Sequence, residues 1–213
     1  MIQFDFNNIA MIDKFISDLK NSQGKLHGIV NINGLISSPK LSMNLKLTKA
    51  TTQIDRLGLN LQNININLSG APKKYTLKGS VRSGEGILNM HGNASLLNKH
   101  FKSKLKLSGK NITLFNTDEY KININPLLSL TSDNKKISIN GNIFIPKATI
   151  NPLDFSSTVE LPDDVIILGT KHKRSRTLDL DYQVAITLGN DIDLSVLGLT
   201  GKLNGKLTLD APL

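Results

Sequence analysis

The chain has 213 residues, 39% of them hydrophobic but only 5% aromatic, with no Trp and no Cys, and 26 Lys and Arg against 17 Asp and Glu give it a formal net charge of +9. Without Cys, disulfides and thiolate metal sites are excluded, and without an aromatic supply the apolar surface is aliphatic, poorly suited to stacking bases or sugar rings. The positive balance favours an anionic partner such as a membrane surface, lipopolysaccharide or nucleic acid, although single lysines interleaved with apolar residues, as in Lys102-Ser103-Lys104-Leu105-Lys106-Leu107, also suit the solvent side of a strand.

In chain order, Met1-Ile2-Gln3-Phe4-Asp5 lacks the basic and apolar regions of an export signal, so such a signal is expected upstream. Ile9, Ile12, Phe15, Ile16 and Leu19 fall at helical spacing and predict one short helix. Asn7 or Asn8 would cap it, Lys20 suits its C-terminal dipole, and Gly24 ends it. This divides the chain into a lead-in over 1–24 and a continuous β-sheet domain over 25–213.

From Lys25 the period becomes two, in the runs Leu41–Leu47, Leu57–Leu61, Ile64–Leu68, Tyr75–Val81, Phe101–Leu107, Tyr120–Ile124, Ile137–Ile145, Leu178–Leu188, Ile192–Val196 and Leu203–Leu209. The phase slips at Gln62-Asn63, which reads as a bulge or turn. Gly189, Asn190 and Asp191 read as a three-residue hairpin loop that would pair Leu188 with Ile192 and Ile186 with Leu194. The fold class is therefore all-β, a long curved antiparallel meander. One short helix cannot cover so many half-apolar strands, so the sheet must close, fold as a sandwich, or leave a greasy face for another occupant. No run of about 18 or more apolar residues is present to cross a bilayer as a helix. An outer-membrane barrel is disfavoured, because such barrels carry aromatic girdles and this chain has only three Tyr and no Trp.

Catalytic patterns are absent. His27, His91, His100 and His172 are scattered without metal-ligand spacing. Gly201 to Leu207 is one residue short of a phosphate loop and lacks its Ser or Thr. Asp163-Asp164 and Asp179, Asp181, Asp191 and Asp193 lack an acid-base partner and read as turn and strand-surface positions. The expectation is a protein with no catalytic residue, metal or cofactor. Lys171-His172-Lys173-Arg174-Ser175-Arg176 is a basic loop between strands, and Lys171, Lys173, Arg174 and Arg176 are candidate contacts for anionic headgroups.

The stretch Ile137-Ser-Ile-Asn-Gly-Asn-Ile-Phe-Ile-Pro-Lys-Ala-Thr-Ile-Asn151, then Leu161-Pro-Asp-Asp-Val-Ile-Ile-Leu168, then Leu188-Gly-Asn-Asp-Ile-Asp-Leu-Ser-Val-Leu-Gly-Leu-Thr-Gly-Lys-Leu-Asn-Gly-Lys-Leu207 resembles, in order and spacing, the C-terminal domain of the TamB family of translocation and assembly modules. The match is clearest over 137–209; Gly34 to Pro39 fits more loosely. The resemblance implies a taco-shaped sheet with an apolar interior, in a periplasmic protein anchored in the inner membrane by an upstream segment. It implies a tether towards an Omp85-type outer-membrane barrel, with phospholipid acyl chains rather than nucleic acid as the partner. Transport of phospholipid to the outer membrane is the first reading. A structural or chaperone-like role in outer-membrane protein assembly is the alternative. Ile137, Ile139, Ile143 and Ile145, with Leu180, Tyr182, Val184, Ile186 and Leu188, are expected to line the groove. Ile192, Leu194, Leu203 and Leu207 extend that expectation.

Overall fold

The computed structural model describes residues 1–35, 38–97, 100–134, 136–152 and 179–211. Alternation of apolar and polar residues places one side chain per pair on each face of a pleated strand, and the described residues form a single 13-stranded sheet. Its strands are β1 (Ile2–Phe6), β2 (Lys20–Leu35), β3 (Ser38–Ile54), β4 (Leu59–Ala71), β5 (Lys74–Ser83), β6 (Gly86–Leu97) and β7 (His100–Lys110). Then follow β8 (Ile112–Asn116), β9 (Tyr120–Asp133), β10 (Lys136–Ile150), β11 (Asp179–Val196), β12 (Leu199–Lys202) and β13 (Lys206–Ala211). Neighbours from β1 to β7 are antiparallel hairpin partners, and β9 follows β7 in the sheet. The short β8 instead pairs with the first half of β9. It packs across the ends of β4, β5 and β6, where the Ser83 hydroxyl donates to the Thr113 carbonyl at 2.6 Å.

Three expectations are corrected. The N-terminal helix is only a 3-10 turn, Ala10–Lys14. Asn8 does accept the Ala10 N–H at 2.8 Å, but Phe15 is 80% exposed and Ile16 is exposed as well. A segment wedged between β1 and the start of β2, with only Ile9, Ile12 and Leu19 turned inward, buries too little to offset helix nucleation.

The hairpin at Gly189 to Asp191 does not form. β11 runs straight through it, and Leu188 and Ile192 lie in one strand opposite Ile145 and Ala148 of β10. Because β10 is nearly as long, the extra residues are absorbed as a bulge beside Pro146, whose ring nitrogen has no hydrogen to donate to the ladder. The reversal occurs instead at Leu197 and Gly198, with φ of 52° and 80°, the signature of a two-residue primed turn. Finally, the pairing is not antiparallel throughout, since β10 and β11 are parallel.

The phase slip at Gln62-Asn63 is a bulge. The register with β3 and with β5 shifts there, and Asn63 has φ of 47°. Lys49 of β3 has φ of 49°. Asn65 joins the two irregularities, its Oδ1 accepting the Lys49 N–H at 3.1 Å and its Nδ2 donating to the Asn63 carbonyl at 2.8 Å. Such bulges bend and coil a sheet locally.

Candidate functional site

Residues directly opposite each other in a ladder project to the same side. The pairings therefore trace one continuous row across ten strands: Phe4, Gly28, Leu45, Leu68, Leu77, Gly92, Leu105, Leu130, Ile139 and Tyr182. Every one of these side chains other than the glycines is half-buried. The next row on the same face reads Phe6, Leu26, Leu47, Ile66, Gly79, Met90, Leu107, Leu128, Gly141 and Val184. The other face, one residue along, reads Asp5, His27, Lys46, Asn67, Lys78, His91, Lys106, Ser129, Asn140 and Gln183. Along these rows one face is apolar and the other polar, while the adjacent row of the apolar face includes Ser103 and Ser132.

The glycines in the apolar rows make room for larger neighbours. A Cβ on Gly28 would lie 2.2 Å from Cζ of Phe4, so the Phe4 ring covers that position. A Cβ on Gly92 would lie 3.1 Å from a methyl of Leu105. Large side chains beside glycines keep the surface filled where a strand carries none.

The apolar face is not a sealed core. Among the described residues the buried apolar side chains are Ile9, Ala50, Tyr75, Ile112, Ile124, Pro126, Ala148, Val184 and Ile192, too few to bury the face of a sheet this wide. Several of them sit where β8 and the N-terminal turn fold over the strand ends. There Ser22 and Thr52 share a 2.8 Å hydroxyl hydrogen bond and the Ser22 N–H donates to Asp13 at 3.1 Å. At the opposite strand ends, Ile32, Leu35, Leu96, Leu97 and Phe101 are exposed.

The residues expected to line the groove are largely brought together. Ile137, Ile139, Ile143 and Ile145 stand opposite Leu180, Tyr182, Ile186 and Leu188, and Val184 stands opposite Gly141. Val184 and Ile192 are buried, at 8% and 1% exposure, while Leu180 and Leu207 remain open. Leu194 faces Ile150 and Leu207 faces Ile186. Leu203 lies between β12 and β13, where its N–H donates to the Ile192 carbonyl. Lys171, Lys173, Arg174, Arg176, Asp163, Asp164 and the stretch 161–168 lie outside the described residues. Leu45, Leu68, Leu77, Leu105 and Leu130 belong to the same face but are missing from the expected lining, although the same alternation marks them.

Several charged groups of the described residues form surface pairs. Asp191 pairs with Lys147 and Lys202, at 3.4 and 3.9 Å, and Asp193 with Lys202 at 3.7 Å, as exposed surface ion pairs. Asp133 meets His100 at 2.8 Å and Lys102 at 3.0 Å, and its hydrogen bond from Lys102 lowers its pKa. Among the described residues no group of His, Asp and Glu is placed to hold a metal ion, and no helix is long and apolar enough to cross a membrane.

A wide, open, antiparallel-rich sheet, apolar on one face and polar on the other along the rows traced above, defines an open all-β scaffold. The chain belongs to the TamB family: residues 76–213 match the family model "TamB C-terminal domain". It is 21% identical over 217 residues to "Translocation and assembly module subunit TamB" of Haemophilus influenzae, covering 95% of this chain and 17% of that protein. The chain thus spans about a sixth of the length of that curated relative. No solved structure matches it.

Proposed function

We propose that this chain is a non-catalytic conduit and scaffold segment of a translocation and assembly module protein, whose apolar face holds phospholipid acyl chains on their way to the outer membrane. The observation that carries the reading is the half-buried apolar row crossing ten strands from Phe4 to Tyr182. Leaving so much aliphatic surface against water is costly, at roughly 25 cal/mol per Å², and acyl chains would relieve that cost without a directional partner. Of the 13 expected lining residues, Ile137, Ile139, Ile143 and Ile145 with their partners Leu180, Tyr182, Ile186 and Leu188 would form one end of this surface. On this reading the protein acts in the periplasm, anchored in the inner membrane by an upstream segment, and an Omp85-type barrel meets the full-length protein rather than this segment alone.

A second reading, assistance to outer-membrane protein or autotransporter assembly, is favoured by one feature. β1 lies at the sheet edge and pairs only with β2, over Leu26 to Val30, so its other edge is open among the described residues to an added strand. Mass spectrometry of the chain purified gently from a periplasmic fraction separates the two. Co-purifying phospholipid, displaced by a fatty-acid probe that competes for the face, supports the conduit. A lipid-free protein that does not bind the probe, or one whose probe binding is unchanged by a charge inserted in the apolar face, would overturn it.

A further inference from the structure

We propose that the polar face over β5, β6 and β7 docks an extended acidic segment of a partner protein. Charge is segregated along this chain. Residues 38–110 hold 13 Lys and Arg against two carboxylates, Asp55 and Glu85, whereas all the other residues together hold 13 against 15. Asp55 and Glu85 both lie between strands, so the strands of that stretch carry cations only.

The register turns this excess into a pattern. β5, β6 and β7 pair without a shift, so alternate residues of each stay on the polar face. On β5 these include Lys74, Lys78 and Arg82, and on β7 Lys102, Lys104, Lys106 and Lys110. Between them β6 presents Asn89, His91, Asn93 and Ser95. His91 stands opposite both Lys78 and Lys106, and Asn93 opposite Lys104. Two columns of cations therefore flank an uncharged column, about 10 Å apart at twice the strand spacing. Among the described residues no carboxylate lies within ion-pair reach of Lys74, Lys78, Arg82, Lys104, Lys106 or Lys110, and only Lys102, at the border with β9, meets Asp133. Asn89, His91, Asn93 and all of these lysines are exposed.

A solvated face does not need charges of one sign. Towards the C-terminal end of the sheet, Lys147 and Lys202 are set among Asp191 and Asp193, whereas like charges on neighbouring strands repel and cost stability. An extended peptide relieves that repulsion with matching geometry. Its side chains on one face recur about every 7 Å, the spacing of Lys102, Lys104 and Lys106 along β7. Laid along β6, its carboxylates reach both cation columns, and its backbone N–H and C=O groups meet Asn89 and Asn93, whose amides both donate and accept. A phosphate polymer has no N–H donors to offer those amides, and no Phe, Tyr or Trp stands among these positions to stack bases. The inference stands apart from what the apolar face holds, since it concerns the opposite face.

The test is fluorescence anisotropy of a short labelled peptide of alternating Glu and Ser titrated with the chain, against the same peptide with Gln for Glu. Binding of the Glu peptide alone is expected, weakening as salt is raised. Each exposed charge pair is worth up to about fivefold in affinity. Replacing Lys78, Arg82, Lys106 and Lys110 together by Gln is expected to weaken binding by at least about tenfold. The same number of charges removed outside the patch, at Lys14, Lys25, Lys136 and Lys206, is expected to weaken it by less than about threefold. Asn89→Ala combined with Asn93→Ala is expected to weaken the peptide several-fold and to leave inorganic polyphosphate unchanged, which separates a peptide from a bare polyanion. Because the chain has no Cys, Ser108→Cys and Thr208→Cys each carry one environment-sensitive dye with every cation in place. The Ser108 dye is expected to respond to the Glu peptide, and the Thr208 dye is expected not to. Equal losses for the two quadruple variants, with unchanged circular dichroism, would reduce the effect to net charge and overturn the surface, as would an equal response of the two dyes. No binding of the Glu peptide, or polyphosphate weakened in step with it by the two Asn substitutions, would overturn the acidic segment as occupant.

Discussion

The Tyr75 hydroxyl donates a 2.7 Å hydrogen bond to the backbone carbonyl of Leu41, two strands away. The strand between them places Gly70 opposite both Tyr75 and Met43, so the phenol crosses a position without a side chain. Tyr75 is buried, and burial raises its pKa. One side chain thereby ties β5 to β3 on the apolar face. Tyr75→Phe is expected to cost about 1 kcal/mol, read as a lower denaturant midpoint at unchanged slope. The raised pKa means that the folded chain holds this proton after the unfolded chain, with a tyrosine pKa near 10, has begun to lose it. Tyr75 therefore contributes stability in full below about pH 10 that is lost as pH rises through the folded value. The difference between wild type and Tyr75→Phe is expected to narrow across that window, and a constant difference up to strongly alkaline pH would refute the assignment.

Ile139 and Asn140 are neighbours on opposite faces. Ile139 stands between Leu130 and Tyr182 in the apolar row, and Asn140 between Ser129 and Gln183 in the polar one. A carboxylate at Ile139 would face acyl chains or draw in water, at a cost of several kcal/mol. Ile139→Asp is expected to abolish co-purifying phospholipid, and Asn140→Asp to leave it unchanged. The pair shares the same poor strand former, which controls for β-propensity. Val184 is less suited to this test because it is buried, so Val184→Asp reports packing before it reports lipid. Equal lipid content in the two variants at equal abundance would sink the acyl-chain reading on this face.

Phe4 and Gly28 set the edge of the sheet. Their pairing brings the Phe4 ring over a strand position where a Cβ would lie 2.2 Å away. Gly28→Val displaces that ring, and β1 has no other described strand to hold it. The amides of Ile2 to Phe6 are expected to lose hydrogen-exchange protection by at least tenfold, with those of β4 to β7 unchanged. Phe4→Ala is expected to do the same by removing the ring itself. Protection of β1 retained in both variants would show that backbone pairing alone holds the edge.

The fold was legible wherever alternation stood on its own. The runs around Leu45, Leu68, Leu77, Leu105 and Ile139 gave the correct strands, and the slip at Gln62-Asn63, which reads as a bulge or turn, is a bulge. What misled was local chemistry that competed with long partners. Gly189 to Asp191 carries turn residues, yet β10 offers a partner along the whole of β11, and ladder hydrogen bonds outweigh turn propensity there. The stripe from Ile9 to Leu19 has helical spacing but too small a surface to pack on. The parallel pairing of β10 with β11 left no trace, because periodicity reports which face a residue takes and not the direction of its neighbour. On the candidate site, alternation marked the apolar face across the whole sheet. The expected lining stopped at the second half because that is where the family resemblance was specific.

The reversal at Leu197 and Gly198 gives the last test. Both residues have positive φ, 52° and 80°, and the turn returns β12 along β11, where Val196 faces Leu199. Gly198 takes such a conformation freely, but for Leu the left-handed region costs about 1–2 kcal/mol. Leu197 is almost fully exposed, so it recovers little of that by packing. Asn tolerates the left-handed region, and Asn-Gly is the favoured pair for a two-residue primed turn. Leu197→Asn is therefore expected to stabilise the chain by about 1 kcal/mol, seen as a raised unfolding midpoint. Leu197→Val, β-branched and worse suited to positive φ, is expected to destabilise it. A loss of stability for Leu197→Asn would mean that Leu197 is held by an apolar partner outside the described residues, and the hairpin would then owe its geometry to packing rather than to the turn.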